Sequence, residues 1–275
     1  MKNYQILYLK NMIEINKIYN GDCLEVMKNI DDKSIDLVIT DPPYGTLQSR
    51  NASQQVNRMK GDRSEKWEQN NSWDLLIGEN EFQWVDECDR TLRNGGTFIS
   101  YYDRDRINFL SAYLKNKGYK LRNYVVDILT NPVPRGGQLS WCNSVGILGI
   151  WVKQWNKGER RFTYNGAKIG QHKEHFIYEE FEEETSGMVL RPILHGKERL
   201  RDQGKAIHPT QKPIQIMRDL IEYFSDENDL ILDPFSGTGT TCVVAKSLNR
   251  NFIGIEINED YYNLSLNRLL ASSLF

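Results

Sequence analysis

The sequence predicts an α/β fold built on a doubly wound, mainly parallel sheet, and three observations carry that prediction. Short apolar runs alternate with helical patterns along the first part of the chain. The same alternation returns after a charge-rich middle. Two apolar runs end in an acid and a proline, at "VITDPPYGT" and "LILDPF", so the strands there stop in stiff turns that proline, lacking a donor, cannot continue.

Taken in order, "INKIYN" reads as a short strand, "CLEVMKNI" as an amphipathic helix and "SIDLVIT" as a buried strand. A long polar stretch, Leu47 to Asn71, follows; stretches of that kind are usually functional lids or disordered. "EFQWVDECDRTLRNGG" reads as a helix that Gly95 and Gly96 are placed to end. "TFISYY" is the next strand, "RINFLSAYLKNKG" a helix and "YKLRNYVVDIL" a further strand. From about Trp155 to Lys205 the pattern weakens and charge comes in blocks, acidic in "YEEFEEE" and basic on balance in "RPILHGKERLRDQGK". That region reads either as a solvated surface or as a small inserted module, 156–205, that meets an anionic partner. The α/β pattern then resumes. "PIQIMRDLIEYF" places Ile214, Met217, Leu220, Ile221 and Phe224 on one helical face. "DLILD", "TTCVVAKSLN", "NFIGIEI" and "EDYYNLSLNRLLASSL" complete a strand–helix–strand–helix series. One domain spanning 1–275, interrupted by an insertion, is expected.

A chain of 275 residues is long enough for one large domain or two small ones, and 39% hydrophobic residues suffice for a packed core. Its net charge of -2 points to no strongly basic nucleic-acid binder overall, though net charge hides local patches. Cys23, Cys88, Cys142 and Cys242 lie far apart with no CxxC pair, so no zinc site is expected. Scattered cysteines suit a reducing, cytoplasmic setting. No run is long or apolar enough to span a membrane. "MKNYQILYLKNM" is too polar for a signal peptide, and Met12 offers a second start.

The strongest chemistry lies in "LILDPFSGTGTTCVVAKSLNRNFIGIEIN". A strand ends at Asp233, a turn carries Gly237 and Gly239, and the next strand ends in Glu256, nineteen residues after Gly237. An acid at that place grips ribose hydroxyls in dinucleotide folds. Yet Cys242 stands where a GxGxxG fingerprint has its third glycine, and no P-loop GK[ST] follows. A nucleoside ligand without a pyrophosphate fits, and S-adenosylmethionine is such a ligand.

Asp41-Pro42-Pro43-Tyr44 together with "DPFSGTGTT" resembles the amino-group DNA methyltransferases, whose catalytic motif reads [DNS]PP[YFW] and whose cofactor motif contains FxGxG. "HPTQKP" at 208–213 resembles a further cofactor motif of that family, and "NGDCLEVM" its segment before the catalytic strand. The catalytic motif precedes the cofactor motif, an order similar to the β class. The resemblance covers roughly 15–155 and 205–270. It departs at Asn143 and Ser144, where the family often has an acid.

The resemblance implies a seven-stranded Rossmann-like methyltransferase sheet, S-adenosylmethionine as cofactor and double-stranded DNA as substrate, with no metal. Asp41 and the Pro42 carbonyl would accept from the two amino hydrogens of a flipped-out base, Pro43 would stiffen the turn and Tyr44 would stack on the base. Asp233, Phe235, Ser236, Gly237, Gly239 and Thr240 would wrap the methionine end, with Thr210 and Lys212 on its carboxylate and Asp22 as a turn residue or a cofactor contact. Arg135, Arg191, Lys197, Arg199 and Arg201 are the candidates for DNA. A motif opening on Asp implies adenine N6 in this family, with cytosine N4 as the alternative. RNA as substrate and a catalytically silent DNA-binding subunit stay open. A homodimer is expected from family habit, and a restriction endonuclease partner is left open.

Overall fold

The computed structural model of the chain describes residues 13–44, 81–129, 145–166, 188–191, 201–202, 205–206 and 211–271. Its strands are β1 (Lys17–Asn20), β2 (Ile35–Thr40), β3 (Leu92–Tyr102), β4 (Tyr119–Leu129), β5 (Val145–Lys153), β6 (Met188–Arg191), β7 (Arg201–Asp202), β8 (Lys205–Ala206), β9 (Leu230–Asp233) and β10 (Asn251–Glu256). Its helices are α1 (Cys23–Met27), α2 (Gln83–Thr91), α3 (Ile107–Asn116), α4 (Ile214–Phe224), α5 (Thr240–Ser247) and α6 (Glu259–Ala271).

One sheet runs in the order β1-β10-β9-β2-β3-β5-β4-β6. Its first five strands are parallel neighbours. β5 runs antiparallel between β3 and β4. The seven strands from β1 to β4 in that order make the expected Rossmann-like sheet. β6, from the middle region, adds an eighth strand parallel to β4 at the edge.

Period-two alternation sends Leu37, Ile39, Ile99 and Tyr101 to one face, where α4, α5 and α6 pack. Val38, Phe98, Tyr102 and Leu232 go to the other face, under α1, α2 and α3. Both faces are covered, so the parallel strands are apolar almost throughout.

Gly95 and Gly96 do not end a helix. α2 stops at Thr91 and β3 starts at Leu92 without a loop. Ile35 pairs with Leu92 but Leu37 pairs with Thr97, so β3 bulges out against β2. Gly95 sits there at φ +71°, and a Cβ on it would come within 2.4 Å of the Arg160 carbonyl oxygen. Glycine makes both caps and bulges, and local pattern does not tell them apart.

The start of the middle region is fastened to the body. Arg160 donates to Asp36 at 3.0 Å, Asp229 at 2.7 Å and Asp226 at 3.0 Å. The Asn165 side chain donates to the carbonyls of Glu222 and Ser225, both at 3.0 Å. Asp36, Asp226 and Asp229 lie toward the amino ends of β2 and β9, so residues 156–166 sit at the edge of the sheet opposite Asp41.

Candidate active site

The chain leaves β9 through α5 on one face of the sheet and returns from β2 to β3 through α2 on the other. β9 and β2 are neighbours, so a crevice opens at their carboxyl ends, where open α/β sheets bind ligands. Acids mark this edge strand by strand. Asp22 follows β1, Glu256 ends β10, Asp233 ends β9 and Asp41 follows β2. Gly254 pairs with Asp233 and Val38 with Leu232, so Glu256 and Asp41 both project two residues further along than Asp233. Asp233 forms the floor between them.

Each acid is held differently. Asp233 is buried and accepts from the Thr40 hydroxyl at 2.8 Å and the Phe235 N–H at 3.2 Å. Burial pushes its pKa up to about 6; the bonds from Thr241, Thr40 and Phe235 oppose the rise and the Asp41 charge adds to it. Glu256 accepts from the Gly237 N–H at 2.8 Å and the Asn258 N–H at 2.7 Å. Burial raises its pKa as well, against those bonds. A carboxylate has about four acceptor sites, so two backbone bonds leave Glu256 able to take a diol. Asp22 caps α1, accepting from the N–H groups of Leu24 at 2.8 Å and Glu25 at 3.3 Å.

Asp41 is engaged on both oxygens. The Tyr44 hydroxyl donates to Oδ1 and Lys212 Nζ to Oδ2. The Lys212 ammonium also sits 4.3 Å from the centre of the Tyr101 ring, a cation–π contact. Burial, and then the Asp41 charge, hold the Tyr44 hydroxyl well above its ordinary pKa, so it stays a donor.

The glycine turn is shaped for close approach. Gly237 and Gly239 have φ of +52° and +77°. A Cβ on Gly239 would lie 2.8 Å from the Ser265 Cβ. The Ser236 N–H and hydroxyl donate to the Ile255 carbonyl at 2.8 and 3.1 Å, which ties the turn to β10. Arg268 donates to the Thr240 hydroxyl at 3.0 Å and the Thr238 carbonyl at 2.6 Å. The Phe235 ring meets Trp84 edge-on at 5.4 Å.

The structure thus brings Asp41, Pro42, Pro43, Tyr44, Asp233, Phe235, Ser236, Gly237, Gly239, Thr240 and Glu256 to one sheet edge, with Asp22 beside them. Lys212 belongs to this edge too, but its ammonium is on the catalytic-motif acid. Thr210, Arg135, Lys197 and Arg199 lie outside the described residues, as do the stretch 47–71 and the segment before Ile13. Arg191 closes β6 and Arg201 opens β7. Sequence reasoning missed Thr40, whose hydroxyl joins the two motifs. The available signal was a hydroxyl residue directly before the acid at a strand's end.

Clustered carboxylates at this edge suit a cationic ligand better than a pyrophosphate, and the seven-stranded order with β5 antiparallel is that of the Rossmann-like methyltransferases. A family model described as DNA methylase, that of the N6 and N4 methyltransferases, matches residues 35–267. The chain is 34% identical over 260 residues to the type II methyltransferase M.HinfI of Haemophilus influenzae, a match covering 93% of this chain and 68% of that protein. It is 30% identical over 258 residues to the type II methyltransferase M2.MboI of Moraxella bovis, covering 91% and 86%. Among solved structures, the M1.HpyAVI–SAM complex matches with a TM-score of 0.62 at 22% identity, over 92% of this chain and 98% of that one. The cytosine-N4-specific PvuII DNA methyltransferase matches with a TM-score of 0.64 at 17% identity, over 94% and 87%. The chain belongs to the N6/N4 DNA methylase family, the amino-group, S-adenosylmethionine-dependent DNA methyltransferases. Among the described residues no helix is long and apolar enough to cross a membrane.

Proposed function

We propose that this chain methylates the exocyclic N6 amino group of adenine in double-stranded DNA, at a base flipped out of the helix. The observation that supports the reading is Asp41, set on a rigid double-proline turn at the sheet's switch point and, like the cofactor-side acid Glu256, two residues beyond Asp233 along the same sheet edge.

S-adenosylmethionine, when bound, supplies an electrophilic methyl carbon on a sulfonium. Glu256 would accept from its ribose hydroxyls. The Gly237–Gly239 turn lets the methionine end approach the backbone, and the carboxylates complement its ammonium and its sulfonium. The target amino nitrogen is a poor nucleophile because its lone pair is delocalised into the ring. Asp41 would accept one N–H and the Pro42 carbonyl the other, which draws the nitrogen toward tetrahedral geometry and localises the pair. Prolines 42 and 43 fix the direction of that carbonyl, so little reorganisation is left for the reaction. The methyl group would pass from sulfur to nitrogen with the C–S electron pair left on sulfur, and Asp41 would take the proton that the methylated nitrogen sheds. Tyr44 would stack on the base, worth roughly 1–3 kcal/mol. That gain offsets part of the few kcal/mol that flipping costs.

The opening Asp of the motif supports adenine. Cytosine N4 is the second reading, favoured by the likeness to the cytosine-specific PvuII enzyme. Arg191, Lys197, Arg199 and Arg201, in the region 156–205 proposed for target recognition, and Arg135, which precedes that region, are the basic group proposed to meet DNA phosphates. Type II relatives support a place beside a restriction endonuclease, and dimer pairing is proposed with it. The test is transfer of labelled methyl from S-adenosylmethionine to unmethylated duplex DNA, with RNA as comparison. Label on the duplex is expected; label on RNA alone, or on neither, contradicts the reading.

A further inference from the structure

We propose that Arg106 is a positioning residue for methyl transfer, acting through Tyr44; this rests on the function just proposed. Arg106 stands at the amino end of α3, directly behind the catalytic turn. Its Nη1 donates to the Tyr44 carbonyl at 3.2 Å. Its Nη2 pairs with Glu81 Oε2. The other oxygen of Glu81 accepts from the Tyr102 hydroxyl. The Tyr102 ring in turn meets the Tyr44 ring edge-on, with centroids 6.0 Å apart. Arg106, Glu81, Tyr102 and Tyr44 therefore close a circuit that holds Tyr44 by its carbonyl on one side and its ring on the other.

Tyr44 is where such a hold matters. Pro42 and Pro43 fix their own φ, but Tyr44 is the first residue past the prolines whose backbone is not locked by a ring. Its carbonyl direction sets its ψ, and the backbone in turn restricts the rotamers of its ring. That ring has two tasks, stacking on the base and placing a hydroxyl on Asp41. A small swing of Tyr44 would displace both the stacking surface and the acid. A guanidinium suits the position because its planar fork serves two acceptors at once, whereas an ammonium is a single point charge. The pair is only partly exposed, 30% for the Arg106 side chain and 19% for Glu81, so water screens it incompletely.

The experiment is single-turnover methyl transfer to unmethylated genomic DNA by the full chain, with cofactor affinity measured in parallel by calorimetry. Arg106→Gln should slow transfer about 10- to 100-fold, in line with what a 1 Å misplacement costs, and leave cofactor affinity within about twofold. Arg106→Lys should recover only part of the rate, and Glu81→Gln should fall between. In a Tyr44→Ala background, Arg106→Gln should change the residual rate by less than about threefold, because the group it positions is gone. An unchanged rate for Arg106→Gln would overturn the proposal, and so would a loss of equal factor in both backgrounds. If Arg106→Gln does not bind cofactor, Arg106→Lys is read in the same two backgrounds by the same criteria. A wild-type protein that binds cofactor but transfers nothing refutes the proposed function, and this inference with it. A wild type that transfers normally while the variants match it refutes this inference alone.

Discussion

Lys212 and Asp41, 171 positions apart in the chain, form an ion pair in which the lysine side chain is 15% exposed and the aspartate 19%. The pairing keeps a carboxylate in the crevice without leaving its charge unmatched. It also gives the Lys212 ammonium a partner other than the cofactor carboxylate that its motif suggests. Removing one partner of a buried pair costs about 3–5 kcal/mol, and partial exposure puts the cost here below that range. Lys212→Met should therefore lower both stability and transfer rate, while cofactor affinity falls less than about threefold. Calorimetry and initial rates check this. A large loss of cofactor affinity with the transfer step unimpaired would return Lys212 to the cofactor.

Asp41→Ala should abolish transfer and leave cofactor binding nearly intact, since Glu256 and the glycine turn are untouched. Equilibrium binding beside a methyl-transfer assay separates the two. A variant that keeps more than about a tenth of the rate would contradict the role given to the carboxylate.

Glu256→Ala should weaken cofactor binding roughly 10- to 100-fold, the equivalent of one or two charge-assisted hydrogen bonds. The substitution also frees the N–H groups of Gly237 and Asn258, so Glu256→Gln, which keeps acceptors for one or both, should lose less. Equal affinity for wild type and Glu256→Ala would remove the residue from the ribose site.

Asp233 gives a pH signature. Its pKa rises from 3.8 to about 6 on folding, so between those values the folded chain holds a proton that the unfolded chain has lost. Stability from this group therefore falls as pH rises through that window, and above it the ionised, buried carboxylate costs roughly 3 kcal/mol. Asp233→Asn keeps a carbonyl for the Thr40 hydroxyl and carries no charge. In urea unfolding without cofactor, the variant should gain on wild type by more at pH 7.5 than at pH 4.5. A difference that does not change with pH would contradict the buried, proton-retaining state.

Much of this site was legible because strand-end motifs are local. "DPPY" and "DPFSGTG" each hold an acid, a chain-stopping turn and their flanking strand within a few residues, and the acid closing "NFIGIE" lies one strand further on. Parallel neighbours β9 and β2 then bring those ends together without further information. Contacts that depend on tertiary placement left no such trace. Nothing in "EFQWVD" or "DRDRIN" marks Glu81 and Arg106 as partners, and only the fold shows Lys212 reaching Asp41. The Gly95–Gly96 pair reads as a helix stop yet lies in a bulge, because a cap and a bulge make the same demand on the backbone. The alternation of strand and helix also says nothing of the antiparallel β5 inserted between β3 and β4, or of β6 joining the edge from a stretch whose pattern is weak.

The central claim is the identity of the methylated atom, and nucleoside mass spectrometry on unmethylated genomic DNA incubated with the protein and S-adenosylmethionine measures it directly. A new N6-methyladenine peak that disappears with Asp41→Ala is the predicted result. A new N4-methylcytosine peak would keep the site and overturn the base. No methylated nucleoside from a protein that binds the cofactor would contradict the claim outright.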